Sequence, residues 1–323
     1  MPSLTFTVTY NEAGHTLAKV LRSRLHEKLP SWTAVRGFIT GRRVKVNDTI
    51  FVDPARRLKE GEKIEFLDHA GPTPKGISPS DFVVRHLDDH IIVVEKAAGI
   101  NSVRHPSELF WADRHKALDP TLFDLSHWAI AERLNRAIKS IPRLRIVHRL
   151  DRETSGLLVF ARTVLAEQGL GLQFRRHTVL RRYLAVVPGL VTAQTFRSRL
   201  VKDRGDGRRG STNLPSIGKE AITHVIPEEH WRGYTLLSCR LETGRTHQIR
   251  IHLSEAGHPI CGDPVYVRRP DGTTFKDESG APRLALHATE LGFVHPITGE
   301  SLHWSMPFPP DLATFTNKLR KQK

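Results

Sequence analysis

Cysteine and long apolar runs are both scarce in this chain of 323 residues. Its two cysteines, Cys239 and Cys261, are too few for a disulfide framework, which is typical of proteins in a reducing cytosol. No stretch approaches the roughly 18 consecutive apolar residues of a membrane helix, and the apolar run 157–161 has the length of a strand. The N-terminal residues lack the basic start and apolar block of a secretory signal. These absences predict a cytoplasmic protein with no membrane anchor.

Metal-ligand and nucleotide-binding motifs are also missing. The 18 histidines are scattered, without C-x-x-C or H-E-x-x-H spacing. His247 and His252 are five residues apart in sequence, which is poor spacing for one helical face. Neither G-x-x-x-x-G-K-[ST] nor a dinucleotide fingerprint occurs. We therefore expect no metal and no cofactor.

Acidic residues are outnumbered by basic ones. The chain has 49 Lys and Arg against 34 Asp and Glu, a formal net charge of +15, and its pI is near 10.2. A pI above about 9 favours a polyanionic partner, because each neutralised phosphate releases counterions. On charge alone, a soluble enzyme with a basic surface is the alternative. Binding to a membrane surface is less favoured, since no basic amphipathic helix with a bulky apolar face is evident.

The composition changes at residues 70–80, where Pro and Gly in AGPTPKGISPS prevent regular structure and indicate an interdomain linker. Beyond it, strand-like runs dominate, with helical stretches near 121–140, 164–177 and 246–256. This pattern predicts an α+β domain on a large, mainly antiparallel or mixed sheet. The predicted organisation is a small N-terminal α+β module (1–70), a linker (71–81), the large domain (82–315) and a basic tail (316–323).

The N-terminal module is predicted to open with two helices. Leu17, Val20 and Leu21 recur at helical spacing, and Ser31 is a plausible N-cap for a second helix ending at Gly41. The following residues alternate like short strands.

The module resembles the S-four-type RNA-binding module. The resemblance rests on the two helices at its start, the motif G-R-x-V-x-V-N and the later motif E-G-E-x-I. The resemblance implies a phosphate-facing patch, and a solvated basic face on a generic module is the alternative. The patch would consist of Arg36, Arg42, Arg43 and Lys45.

The most informative segment is HRLDRETSGLLVFART, residues 148–163. Asp151 stands between Arg149 and Arg152, just before a Thr-Ser-Gly turn and an apolar strand. A carboxylate among guanidinium groups is expected to stay ionised, which suits a nucleophile or an electrostatic stabiliser rather than a general acid. A surface salt-bridge cluster is the alternative interpretation.

The same segment resembles the central motif of the RluA-type pseudouridine synthases, H-R-L-D-x-x-T-S-G, over more than a dozen contiguous positions. The resemblance implies that Asp151 is the catalytic aspartate and that Arg149 holds the RNA open while the target base is flipped. Further segments follow in the family's order. RRYLAVVPG supplies Tyr183 as the active-site tyrosine, LETGRTHQIRIHL supplies Arg245 as the basic residue that pairs with the aspartate, and ALHATELGFVHPITGE matches the late strand.

One element departs from the family pattern. The family's Lys-Pro-x-Gly reads EKAAGI here, with Ala97 in place of proline, so a less rigid loop is expected. Segments 101–120 and 203–217 are predicted to be lineage-specific loops, the second being either an RNA-contact loop or a solvated insertion.

The resemblance implies an isomerase that breaks the glycosidic bond of a uridine, rotates the uracil and rejoins it through carbon 5. It implies ribosomal or transfer RNA as the partner, no cofactor, and a protein expected to be monomeric. Attack on the base and chemistry at the ribose both remain open. The alternative is a non-catalytic RNA-binding or ribosome-assembly protein on the same scaffold, which the presence of all three site residues disfavours. A metal-dependent hydrolase is disfavoured by the missing ligand spacing.

Overall fold

A computed structural model describes residues 5–26, 31–41, 43–47, 49–51, 53–67, 82–105, 108, 120–203, 208–267 and 274–321. The chain divides into two compact units. The first combines Met1–Gly76 with His105–Leu118 and Val201–Gly218, and the second comprises Ile77–Arg104, Asp119–Leu200 and Lys219–Lys323. Much of the two predicted loops, 101–120 and 203–217, is therefore grouped with the N-terminal module. The predicted linker 71–81 lies outside the described residues.

The first unit has the two helices that the sequence predicts. Helix α1 (Leu17–Arg24) buries its apolar stripe, and α2 (Trp32–Thr40) begins where the Ser31 side chain accepts a hydrogen bond from the Ala34 N–H at 3.0 Å. A four-stranded antiparallel sheet, in the order β1-β4-β2-β3, completes the unit. Its strands are β1 (Thr5–Thr7), β2 (Val44–Val46), β3 (Thr49–Ile50) and β4 (Lys63–Phe66).

The second unit is built on one large mixed sheet, as the sequence predicts. Its order is β10-β12-β13-β9-β14-β8-β6-β5, with β7 paired to β8 and β15 to β14. Only the β14–β8 pair is parallel among the pairs in this described sheet. The strands are β5 (Phe82–Leu87), β6 (Ile91–Lys96), β7 (Arg145–Ile146), β8 (Ser155–Ala161), β9 (Leu180–Pro188), β10 (Gln194–Val201), β12 (Lys219–Trp231), β13 (Tyr234–Leu241), β14 (Leu286–Val294) and β15 (Ser301–Ser305), with β11 (Gly210–Thr212) in the first unit.

Every residue of β8 is buried, because apolar clusters cover both faces of the sheet at this strand. The described part of this unit has four α-helices, and the first three lie close to the predicted positions. They are α3 (Leu122–Arg133), α4 (Val164–Arg175), α5 (Gln248–Glu255) and α6 (Pro310–Lys321).

The basic tail expected at 316–323 is not what the structure shows, since residues 316–321 belong to helix α6. These residues form the second half of this helix, with Thr316 and Leu319 buried and Arg320 paired to Glu229 at 2.6 Å. The apolar positions of α6 fall on one face, which packs on the core of the unit. Among the described residues, no helix is long and apolar enough to cross a bilayer.

Candidate active site

Asp151 lies in the turn between β7 and β8, and that turn is tied to the end of β6. Lys96 is buried, and its ammonium group donates hydrogen bonds to three carbonyls, those of Ala97, Ile100 and Arg152, each at 2.8 Å. Burial lowers the pKa of Lys96 to about 7, an effect that Glu153 and Asp151 oppose.

Three further hydrogen bonds add to this attachment. The Gly99 N–H donates to the Arg152 carbonyl at 2.8 Å, and the Arg152 Nε–H donates back to the Gly99 carbonyl at 2.9 Å. On the other side of Asp151, the Ser102 hydroxyl donates to the Leu150 carbonyl at 2.7 Å. These bonds hold the segment at Ala97 against the Asp151 turn, although it lacks the family's proline.

Gly156 fixes the other end of the turn. It lies opposite Ala288 in the parallel pairing of β8 with β14 at a φ of +125°, and a Cβ built there would lie 2.2 Å from the Ala288 carbonyl oxygen. Only glycine permits this close approach. The structure refines the predicted Thr-Ser-Gly turn, because Ser155 and Gly156 already belong to β8.

The guanidinium group that faces the Asp151 carboxylate belongs to Arg250. Its Nη1 is 3.8 Å from Asp151 Oδ2, and its side chain is 4% exposed. Asp263 holds it by two hydrogen bonds, from Nε at 2.7 Å and Nη2 at 2.8 Å. Burial acts to raise the pKa of Asp263, but Arg250 outweighs it and keeps that pKa below its ordinary value. The pair is therefore ionised and rigid.

The pairing predicted for Arg245 is corrected by this geometry. Arg245 donates its Nε–H to the Glu220 carbonyl at 2.9 Å, and its backbone N–H donates to Gln248 Oε1 at 2.9 Å. It lies just ahead of α5, whereas Arg250 is in the first turn of that helix. A residue in the turn before a helix and one in its first turn project differently, and of these two arginines it is Arg250 that lies within ion-pair distance of Asp151. Arg245 lines the same cavity.

His247 is a second neighbour of Asp151. Its Nε2 is 3.9 Å from Asp151 Oδ1, and its Nδ1 is hydrogen-bonded to the Tyr266 hydroxyl at 2.8 Å. The residue occupies the N-cap of α5 at φ 60° and ψ 19°, in the left-handed region, without a side-chain capping bond.

Tyr183 lies on β9 in the centre of the sheet, where it is 7% exposed. Burial raises its pKa, so the hydroxyl is neutral near pH 7. Two residues earlier on the same strand, the buried Arg181 donates from Nη2 to the Glu242 carbonyl at 2.9 Å. This bond links the Tyr183 strand to the turn that carries Arg245 and His247.

These side chains open into one cavity of about 620 Å³. Asp151 is 17% exposed and lines the cavity, and its neighbours Arg250 and His247 are both farther from its oxygens than hydrogen-bond distance, so its carboxylate faces the cavity. Basic groups outnumber acidic ones in the lining. The charged and aromatic lining residues are His148, Arg149, Asp151, Glu167, Phe174, Arg175, His177, Arg181, Tyr183, Arg245, His247 and Arg250.

The predicted RNA-binding residues are divided between the two units. Arg149 is exposed at the cavity, whereas the others belong to the first unit. Arg36 Nη2 lies 4.0 Å from Asp203 Oδ2, and Lys45 Nζ lies 3.4 Å from Glu65 Oε2. Arg43 stacks on Phe38 with its guanidinium carbon 3.9 Å from the ring centroid. Arg42 lies outside the described residues.

Sequence reasoning missed Arg250, His247, Asp263 and Tyr266. The available signal was that Ile249 and Leu253 define the buried face of α5, which leaves Arg250 close to the core. A buried guanidinium group needs hydrogen-bond acceptors, and a carboxylate is the strongest of them. Within the described residues, no cluster of three or more His, Cys, Asp or Glu side chains could hold a metal ion.

Comparison with known proteins identifies the family of this chain. The family model for RNA pseudouridylate synthase matches residues 90–255, which include Asp151, Tyr183 and Arg250. The chain is 37% identical to the ribosomal large subunit pseudouridine synthase D of Nitrosomonas europaea, over 98% of this chain and 88% of that protein. It is 34% identical to the protein of the same name from Escherichia coli K12, over 98% and 94%.

Solved structures share the fold. Human RNA pseudouridylate synthase domain containing 4 superposes with a TM-score of 0.58 at 22% identity, covering 73% of this chain and 92% of that one. The chain therefore belongs to the RNA pseudouridylate synthase family. It is an isomerase that converts uridine in RNA to pseudouridine.

Proposed function

We propose that this enzyme acts on uridines of large-subunit ribosomal RNA, with Asp151 as its catalytic residue. The observation that carries the proposal is the Asp151 carboxylate, which opens into a basic cavity beside a buried tyrosine. The names of the relatives support the choice of RNA, since they are ribosomal large subunit pseudouridine synthases. The net charge of +15 favours a polyanionic substrate.

The target uridine must leave its stack before Asp151 can reach it. Unstacking costs a few kcal/mol, and loops or mismatches reduce that cost. Arg149, which is exposed and lines the cavity, would fill the vacated space in the RNA. Tyr183 would stack on the flipped uracil, a type of contact worth roughly 1–3 kcal/mol. Its neutral hydroxyl is also available for proton transfer.

Arg250 and Arg245 would have separate roles. Arg250 would place a fixed positive charge beside Asp151 and orient it, because its guanidinium group is itself held by Asp263. Arg245, at the N-terminal side of α5, would bind an RNA phosphate. The reaction breaks one glycosidic bond and forms another, so it requires no redox cofactor. We further propose a monomeric, cytoplasmic enzyme.

The test is to map pseudouridines in RNA from a strain that lacks the gene. We expect specific positions in large-subunit ribosomal RNA to lose the modification, and the wild-type gene to restore them. The Asp151→Asn variant keeps the size of the side chain and removes its charge, so it should bind RNA without restoring any position.

Restoration by Asp151→Asn at a near-wild-type rate would show that this carboxylate is not catalytic. Loss of positions in transfer RNA alone would overturn the choice of ribosomal RNA. An unchanged pseudouridine map, combined with a ribosome-assembly defect that Asp151→Asn repairs, would favour the non-catalytic binding protein.

A further inference from the structure

His247 lies between the Asp151 carboxylate and a buried tyrosine, and both of its ring nitrogens face a polar group. Nε2 is 3.9 Å from Asp151 Oδ1, and Nδ1 is 2.8 Å from the Tyr266 hydroxyl. The His247 and Tyr266 rings meet edge to face, with their centroids 5.4 Å apart. Tyr266 is 7% exposed, so the imidazole is held by a rigid neighbour.

The charge of Asp151 determines how the proton of the imidazole is placed. A neutral imidazole has one N–H and one lone pair, and a lone pair on Nε2 would face a carboxylate. The favourable tautomer therefore carries its proton on Nε2, which leaves Nδ1 to accept a hydrogen bond from the Tyr266 hydroxyl. Tyr266 thus selects the form of His247 that attracts Asp151.

The backbone does not account for a histidine at this position. Residue 247 adopts φ 60°, a conformation in which glycine and asparagine are less strained than histidine. The turn is held independently by Gln248, which accepts from the Arg245 N–H at 2.9 Å and donates to the Ile222 carbonyl at 2.9 Å. A requirement for the turn alone would be met by glycine or asparagine at lower cost.

The segment that orients His247 also orients Arg250. The Tyr266 N–H donates to Asp263 Oδ1 at 3.0 Å, and the Arg250 guanidinium carbon is 5.0 Å from the centroid of the Tyr266 ring. Arg250 faces Oδ2 of Asp151, and His247 faces Oδ1. Each oxygen of the Asp151 carboxylate therefore faces a different polar group, and both of these groups contact Tyr266.

We propose that His247, oriented by Tyr266, is a positioning residue that fixes the rotation of the Asp151 carboxylate for the reaction. The inference deepens the proposed function, since it rests on Asp151 as the catalytic residue. Arg250 places its positive charge beside Oδ2 of Asp151, and His247 attracts Oδ1 and so fixes the plane of the carboxylate. A carboxylate held at only one oxygen rotates about its Cβ–Cγ bond and spends less time in the reactive geometry.

The test uses variants that preserve the left-handed backbone. His247→Asn and His247→Gly both tolerate this conformation and both remove the imidazole. We expect kcat on a ribosomal RNA fragment to fall roughly 10- to 100-fold in each, with KM changed by less than about twofold. Tyr266→Phe removes only a hydroxyl and should lower kcat by roughly 3- to 10-fold. His303→Gln, on the exposed strand β15, is the matched control and should be unaffected.

A double-mutant cycle separates the proposed role from a structural one. If Tyr266 acts through His247, the double variant His247→Asn, Tyr266→Phe should lose no more activity than His247→Asn alone. The proposal would be overturned if the two single-variant losses in kcat multiplied in the double variant. It would also be overturned if His247→Asn and His247→Gly kept the wild-type kcat, or if they changed only KM.

A spectroscopic measurement makes the outcome independent of the substrate. In protein labelled with ¹⁵N-histidine, His247 should be protonated on Nε2 when neutral, and Tyr266→Phe should shift its Nδ1 resonance. A neutral form protonated on Nδ1, or no response to Tyr266→Phe, would contradict the orientation described. If the wild-type protein formed no pseudouridine in ribosomal RNA, the proposed substrate would fail, while this measurement would still decide the placement of the imidazole.

Discussion

Arg250 faces Asp151 with its Nη1 3.8 Å from Oδ2, although the two residues are far apart in the sequence. The contact exists because α5 packs its first turn beside the turn that precedes β8, and because Asp263 aims the guanidinium group. The surroundings of the Asp151 carboxylate are thus built from groups on different parts of the chain.

Replacing Arg250 and Arg245 should give different kinetic defects. Arg250→Lys keeps a positive charge but loses the two-bond attachment to Asp263, so kcat should fall by about two orders of magnitude. Arg245→Met should mainly raise KM for RNA, since one phosphate contact is lost. Steady-state kinetics on a ribosomal RNA fragment distinguishes these outcomes. A kcat defect in Arg245→Met as large as that of Arg250→Lys would reverse the assignment.

Gly156→Ala should destabilise the fold by more than about 3 kcal/mol, because its Cβ would collide with the Ala288 carbonyl and its φ is positive. Gly299→Ala is the matched control, with a φ of +78° and nothing within 4 Å of an added Cβ. It should cost only about 1–2 kcal/mol, the strain of the left-handed conformation. Urea unfolding gives both values, and equal losses would show that the β8–β14 contact is not tight.

His287 should make stability depend on pH. Burial lowers its pKa in the folded protein to about 4, whereas the unfolded chain has the ordinary value near 6.5. Between these values the unfolded state binds more protons, so this contribution is present above pH 6.5 and is lost as the pH falls toward 4. Its full size is of the order of 3 kcal/mol.

The check is urea unfolding of the wild type and His287→Gln at pH 7 and pH 4.5. The variant removes the titrating ring, so its stability should fall less steeply on acidification. The exposed His303 provides the control variant, His303→Gln, for removal of a histidine as such. Identical pH dependence of the wild type and His287→Gln would contradict the prediction.

The first unit should supply RNA affinity and not chemistry. The contribution of its basic residues is best tested with the variants Arg36→Gln and Lys45→Gln. Deleting the N-terminal residues instead would leave the buried Arg208 without the Ala55 carbonyl, to which it donates at 2.9 Å. Each lost phosphate contact should reduce the slope of log affinity against log salt by about 0.7–0.9, with kcat unchanged. An unaltered slope in the double variant would show that these two residues do not contact RNA.

Local patterns determined much of what the sequence predicts correctly. The periodic apolar residues and the Ser31 cap specify α1 and α2, because helix formation depends on neighbours within one or two turns. The apolar run after Asp151 specifies β8, and the motif around it identifies the family. The number of strands with few helices between them was enough to predict a mainly antiparallel or mixed sheet.

Tertiary structure decided which groups meet. The sequence places Arg245 and Arg250 in one motif, but the direction in which each projects depends on where α5 begins and on the carboxylate of Asp263, which no local pattern reveals. The same holds for His247 and Tyr266, and for residues 316–321, whose basic composition suggested a tail although their apolar face packs on the core. Composition and spacing fix local conformation, whereas contacts between distant segments are set by packing, and the geometry at Asp151 consists of such contacts.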